Sequence, residues 1–193
     1  MDGTSSIIEF NVTHQAGLVG LIGCAAARAR LGIDVVCVDE RRELQMVKRE
    51  GLEKFIDMHE EVFSEADMQS MRVKDASDAE RLRRFFAYWA LKEAYIKLVG
   101  EGLLAKWLKH VEFRNVTCPS PATKALDPFG DTVRDIEIWR DGKKVIGVDL
   151  ILQAFESNYM IATAIERKRP DFTLTPRFVL LDPEKDIYAA AKV

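Results

Sequence analysis

The stretch Phe85-Phe86-Ala87-Tyr88-Trp89-Ala90-Leu91-Lys92-Glu93-Ala94-Tyr95-Ile96-Lys97 lies inside the longest uninterrupted helical pattern of the chain. Ser77 followed three residues later by Glu80 makes a capping box at its start. Gly100 and Gly102 supply the stop, because a left-handed residue costs glycine nothing there. Leu82, Phe85, Phe86, Trp89, Ala90, Ala94 and Leu98 recur at helical spacing, so the helix is expected to run from Ser77 to Val99 with these residues facing the core. Trp89, Glu93 and Lys97 follow one another at single-turn intervals and share a face. A Glu–Lys pair one turn apart has a bland meaning, a surface pair stabilising the helix by about 0.2–0.5 kcal/mol. It also has a sharper one: a metal-binding carboxylate beside a phosphate-binding lysine at the lip of a cleft.

A second acid upstream bears on that choice. Leu31 to Val38 is a short, almost continuous apolar run and reads as a buried strand. Asp34 in its middle is costly unless paired or metal-bound, so it is either a salt-bridged strand acid or a ligand. Two carboxylates near a substrate diphosphate suit Mg2+, which keeps several waters and binds few protein oxygens. Lys97 would meet such a diphosphate as a point charge. Ile8 to Thr13 alternates apolar and polar, the pattern of a half-buried strand, and leads into His14-Gln15-Ala16-Gly17. Leu18 to Cys24 can pair back on it, and Thr13 with His14 can hold a further phosphate.

The rest of the chain gives an α+β pattern. Leu44 to Met71 is helical in two pieces, with Ser64 and Asp67 marking a new N-cap and His59 reading as a surface residue. His110 to Arg114 reads as a strand, and Cys118 to Gly130 as a turn-rich loop. Ile136 to Arg140, the Asp141-Gly142 turn, Val145 to Phe155 and Tyr159 to Ile165 make a three-stranded antiparallel meander. Ile146, Val148, Leu150, Leu152 and Ala154 are expected on its buried face. Basic Arg167-Lys168-Arg169 reads as a solvated corner; a short strand near Phe178 to Leu181 and a last helix follow.

Composition excludes several classes. The net charge of −3 leaves no basic excess for general nucleic-acid binding. Three widely spaced cysteines make neither a disulfide framework nor a zinc cluster. The apolar run from Ala16 to Ala27 is too short to span a bilayer, and the N-terminus lacks the basic start of a secretory signal, so no membrane role and a cytoplasmic location are expected. P-loop, dinucleotide, nucleophile-elbow and HExxH patterns are absent from the sequence.

Gly32-Ile33-Asp34, followed after about sixty residues by Trp89-Ala90-Leu91-Lys92-Glu93-Ala94-Tyr95-Ile96-Lys97, resembles the paired signature of the 4′-phosphopantetheinyl transferases, G-[IV]-D and W-x-x-K-E-[AS]-x-x-K. Asn11-Val12-Thr13-His14-Gln15 resembles the N-x-[ST]-H motif of the two-lobed, Sfp-type branch, and the wording around the motifs is most similar to fungal members. The resemblance implies a lobe with an antiparallel sheet packed on a long central helix. It further implies Mg2+-dependent transfer of the phosphopantetheine arm of coenzyme A to a serine of an acyl or peptidyl carrier protein, in fatty-acid, polyketide, nonribosomal-peptide or lysine biosynthesis. By motif match, Asp34 and Glu93 would hold Mg2+, and Glu93 would also take the serine proton, directly or through a water. Lys97 would stabilise the leaving diphosphate, Thr13 and His14 would meet the 3′-phosphate, and Lys92 would make a further phosphate or structural contact.

Two departures stand out. Val36 occupies the place where bacterial two-lobed members carry a second acid, which implies a metal held by two protein carboxylates and more water. Residues 1–30 match only the end of the first lobe, and residues 31–193 the second. The expectation is therefore a remnant strand pair joined to a full C-terminal lobe, completed by dimerisation or by a complementing N-terminal lobe. The alternative is a truncated, non-catalytic fragment or binding module that still engages carrier proteins.

Overall fold

The structure is a computed structural model that describes residues 8–25, 29–121, 127–167 and 177–188. Strands β1 (Glu9–Gln15) and β2 (Leu18–Cys24) form an antiparallel hairpin and a two-stranded sheet of their own. Its turn is Ala16-Gly17, both at positive φ, the twist that a two-residue hairpin requires. Strand β3 (Leu31–Cys37) follows, then helices α1 (Arg41–Glu50), α2 (Leu52–Asp57), α3 (Glu65–Met71) and the 22-residue α4 (Asp78–Val99). The region from Leu44 to Met71 thus holds three helices instead of two, Gly51 at φ 84° separating the first pair.

Strands β4 (Val111–Arg114), β5 (Phe129–Arg140), β6 (Lys143–Lys144), β7 (Val148–Phe155) and β8 (Tyr159–Glu166) complete the fold. The main sheet is antiparallel throughout, in the order β3-β8-β7-β5-β4, with β6 paired to β5. The expected strand from Val145 to Phe155 is broken: after the Asp141-Gly142 turn the chain bends again at Gly147 (φ 83°), and Ile146 is 79% exposed instead of buried. Residues Phe178 to Leu181 carry no strand, and a single π-helical turn, Pro183–Tyr188, stands where a last helix was expected. Lys168 and Arg169 lie outside the described residues.

The capping boxes read from the sequence are both formed, Ser64 with Asp67 and Ser77 with Glu80, and Gly100 ends α4 in the left-handed conformation. Helix α4 lies on one face of the sheet. Phe85, Leu91 and Leu98 share a core there with Ile138, Leu150, Leu152, Met160 and Ala162. The other face carries a second, smaller cluster, in which Ile22 of the hairpin meets Ile33, Val35, Ile151 and Ile161. Strand β3 is covered on both sides, which is why every one of its residues is buried and its sequence runs apolar without alternation. His59 is half-buried rather than on the surface. Its ring contacts Phe55, Phe85 and Trp89 edge-on, and burial lowers its pKa from the ordinary value.

Gly32 sets the distance between β3 and α4. A Cβ placed there would stand 1.9 Å from the Ala94 carbonyl oxygen and 2.7 Å from the Leu98 nitrogen, both main-chain atoms. Backbone of that kind cannot step aside as a side chain can. Gly32→Ala is therefore expected to cost about 2–3 kcal/mol in a urea melt, the upper part of the range for overpacking. A loss below about 0.5 kcal/mol would show that strand and helix are not in this contact.

Candidate active site

Three elements meet at the edge of the sheet where β3 ends it: β1, β3 and the middle of α4. Between them lies an open cleft of about 440 Å³, lined by Val12, Thr13, His14, Gln15, Asp34, Val35, Trp89, Glu93 and Lys97. Strand β3 turns Asp34 to the α4 side, the same side as Gly32, and the close approach at Gly32 carries Asp34 to Lys97. The single-turn spacing of Trp89, Glu93 and Lys97 then puts all three on one wall.

Lys97 donates from Nζ to Asp34 Oδ1 (2.8 Å) and to the Ile33 carbonyl oxygen (2.9 Å). Thr13 donates its hydroxyl to the same Asp34 oxygen (3.1 Å). Burial nevertheless raises the Asp34 carboxyl above its ordinary pKa, with Lys97 and Thr13 pulling the other way. Glu93 is raised as well, first by burial and then by the charge of Asp34, against a smaller opposing effect of Lys97. Among the described residues Glu93 has no hydrogen-bond or ion-pair partner. Two crowded carboxylates with one lysine between them leave the cleft short of positive charge.

This donor set fits a hard divalent cation. Mg2+ prefers one or two carboxylates together with waters and substrate phosphates, and Asp34 and Glu93 are the carboxylates that line this cleft. Among the described residues no cluster of three or more His, Cys, Asp or Glu side chains forms an all-protein metal site.

The hairpin is joined to β3 by side chains, a feature that sequence reading missed. Asn11 Oδ1 accepts from the Ile33 N–H (3.3 Å), Thr13 Oγ1 from the Val35 N–H (3.2 Å) and Gln15 Oε1 from the Cys37 N–H (3.3 Å). Every second residue of β1 thus satisfies an outward N–H of an edge strand, which would otherwise be an orphan donor. The signal lay in the spacing Asn-x-Thr-x-Gln. The alternation of β1 is therefore inverted: its polar side faces the protein, and Phe10, Val12, Val19 and Leu21 face outward and are exposed.

Lys92 lies elsewhere. It is fully buried, its Nζ 3.1 Å from Asp67 Oδ2 and 3.0 Å from the Leu108 carbonyl oxygen, with the Val111 carbonyl as a further acceptor. Of the two roles expected for it, phosphate contact or structural contact, this geometry supports the second. Burial lowers its pKa, and Asp67 opposes that shift.

Residues 30–163 match the family model described as the 4′-phosphopantetheinyl transferase superfamily. The chain belongs to that superfamily. It is 38% identical to a 4′-phosphopantetheinyl transferase of Aureobasidium melanogenum, over 98% of this chain and 71% of that protein. It is 36% identical to 4′-phosphopantetheinyl transferase A of Aspergillus fumigatus, over 81% of this chain and 55% of the relative. A vertebrate relative, the L-aminoadipate-semialdehyde dehydrogenase-phosphopantetheinyl transferase of Xenopus laevis, is 32% identical over 54% of the chain. The fungal likeness and the α+β fold of a transferase lobe both stand. The chain spans about half the length of the Aspergillus protein that it matches. Among the described residues, no helix is long and apolar enough to cross a membrane.

Proposed function

We propose that the cleft between β1, β3 and α4 is the phosphoryl-transfer centre of a phosphopantetheinyl transferase acting in the cytoplasm. It would take coenzyme A as donor and a serine of an acyl or peptidyl carrier protein as acceptor. The observation that carries this is the convergence of four residues from three elements, His14 of β1, Asp34 of β3, and Glu93 and Lys97 of α4, on one cleft.

In this reading Asp34 and Glu93 hold Mg2+, whose chemistry when bound is to neutralise the diphosphate. Glu93, raised in pKa and without a hydrogen-bond partner among the described residues, receives the proton of the serine hydroxyl, directly or through a water. The serine oxygen forms a bond to the phosphorus that bears the pantetheine arm. The bond from that phosphorus to the bridging oxygen breaks, and adenosine 3′,5′-bisphosphate leaves. Lys97, already at the cleft, supplies positive charge where the leaving oxygen becomes negative. His14, exposed on the rim, meets the 3′-phosphate.

A second reading, engagement of carrier protein without turnover, is favoured by the bare apolar face of Phe10, Val12, Val19 and Leu21. In that reading the chain holds carrier protein without completing the transfer; covering of the same face by a complementing lobe or a second copy belongs to the first reading.

The test is release of adenosine 3′,5′-bisphosphate from coenzyme A in the presence of apo carrier protein, followed across a Mg2+ titration. Asp34→Ala is expected to move the half-saturating Mg2+ upward by tenfold or more, on the order expected for loss of a ligand or its close support. An unchanged titration would remove Asp34 as a metal ligand.

A further inference from the structure

Thr13 matches the threonine of a motif whose expected role is contact with the 3′-phosphate, yet its geometry leaves that role little room. It is 5% exposed. Its hydroxyl accepts from the Val35 N–H at 3.2 Å and donates to Asp34 Oδ1 at 3.1 Å, so the donor and one acceptor position are both in use. The strand alternation that turns Thr13 inward turns its neighbour His14 outward.

The hairpin is shaped for this inward position. Gly20 stands directly opposite Thr13 in the β1–β2 register. A Cβ on Gly20 would approach the Thr13 methyl to 3.1 Å and Ile33 Cδ1 to 3.4 Å. The small residue opposite lets the threonine sit down on β3. Asn11 and Gln15, two residues to either side, fix the strand in the same register through Ile33 and Cys37.

We infer that Thr13 is a positioning residue for Asp34: its hydroxyl fixes one carboxylate oxygen and thereby aims the other at the cation, and it is not a ligand of the 3′-phosphate. Lys97 also meets Oδ1, so both supports fall on the same oxygen and Oδ2 is left for the cation. This rests on the reading of Asp34 as a metal ligand given above. A hydroxyl that orients a ligand from behind has a measurable signature, since loss of such support lowers metal affinity about 10- to 100-fold.

The experiment uses the full chain and Mn2+ as a spectroscopic substitute for Mg2+, with free Mn2+ read by electron paramagnetic resonance at saturating coenzyme A. Affinity for coenzyme A and for 3′-dephospho-coenzyme A is measured in parallel by calorimetry without metal. Thr13→Val is expected to weaken Mn2+ binding about tenfold or more and to leave the ratio of the two nucleotide affinities unchanged. Thr13→Ser, which keeps the hydroxyl, is expected to bind Mn2+ like the parent chain. Asn11→Ala removes a neighbouring rung of the same ladder without touching Asp34. It should lower the melting temperature as Thr13→Val does, yet bind Mn2+ normally, which separates aiming of the carboxylate from loosening of the hairpin.

Equal Mn2+ affinity in Thr13→Val and the parent would overturn the inference while leaving Asp34 in place. Collapse of the nucleotide ratio in Thr13→Val would overturn it in favour of phosphate contact. Failure of the parent chain itself to bind Mn2+ would overturn it together with the metal reading of the cleft, and is told apart from the first outcome by the silent parent.

Discussion

Glu93→Gln is expected to cut phosphopantetheine transfer by about two to four orders of magnitude, the range assigned to a positioned general base, and to leave the melting temperature where it is. The two halves of this expectation have separate grounds. Glutamine keeps the shape of the side chain and removes both its charge and its ability to take a proton. Among the described residues Glu93 has no hydrogen-bond or ion-pair partner, so nothing in the fold is left unsatisfied. Burial and then the charge of Asp34 raise the Glu93 pKa, so the substitution also relieves a repulsion. Stability should hold or rise slightly while turnover falls by that factor. Transfer at the parent rate would remove Glu93 from the mechanism; a lost fold would show that the carboxylate is structural.

Asp67→Ala is the largest expected loss of stability, about 3–5 kcal/mol, because it strands a buried ammonium. Asp67 and Lys92 are both fully buried and 3.1 Å apart. The carboxylate does two further things: it caps α3 through Ser64, and it accepts from the Phe113 N–H at 2.9 Å, which ties α3 to β4. With Asp67 gone, Lys92 keeps, among the described residues, the carbonyls of Leu108 and Val111 and the face of the Phe113 ring, none of which carries a compensating charge. Lys92→Met should cost less, since methionine fills much of the same volume and the carboxylate keeps its two backbone donors. Urea denaturation of both variants decides the order. If Lys92→Met proves the worse of the two, the pair is not organised around the acid. In the folded fraction, Lys92→Met should bind coenzyme A as the parent does, in keeping with an ammonium that never reaches the cleft.

What could be read from the sequence divides along physical lines. Helix ends were legible because a cap is a local device: Ser77 and Glu80, or Ser64 and Asp67, need only each other. Strand β3 was legible because burial on both faces writes an unbroken apolar run. The acid within it stood out for the same reason. The partners of Asp34 were partly legible, Lys97 through its spacing from Glu93 and Thr13 only as a neighbour of His14. Long-range pairings were hidden. Nothing near Lys92 announces Asp67, and a buried lysine looks in sequence like any other lysine of a helix.

Strand β1 was legible as a half-buried strand, but not its orientation. Alternation says that a strand has two unlike faces, not which one meets the protein. Here Asn11, Thr13 and Gln15 are drawn inward because an edge strand offers them unpaired N–H groups, and the apolar side is left in water. Ile146 failed for a local reason, since the chain bends at Gly147 before β7 begins, and the alternation read through it does not hold across the bend. Gly32 is the counterpart on the favourable side: its place in the G-I-D pattern marks the point where only a residue without a Cβ lets strand and helix touch.

The most direct test of the central claim is the intact mass of an apo carrier protein after incubation with this chain, coenzyme A and Mg2+. The account predicts a gain equal to one phosphopantetheine arm, abolished by a chelator and by Glu93→Gln. No gain, under conditions in which a full-length fungal relative modifies the same carrier protein, would contradict the claim that this cleft performs the transfer.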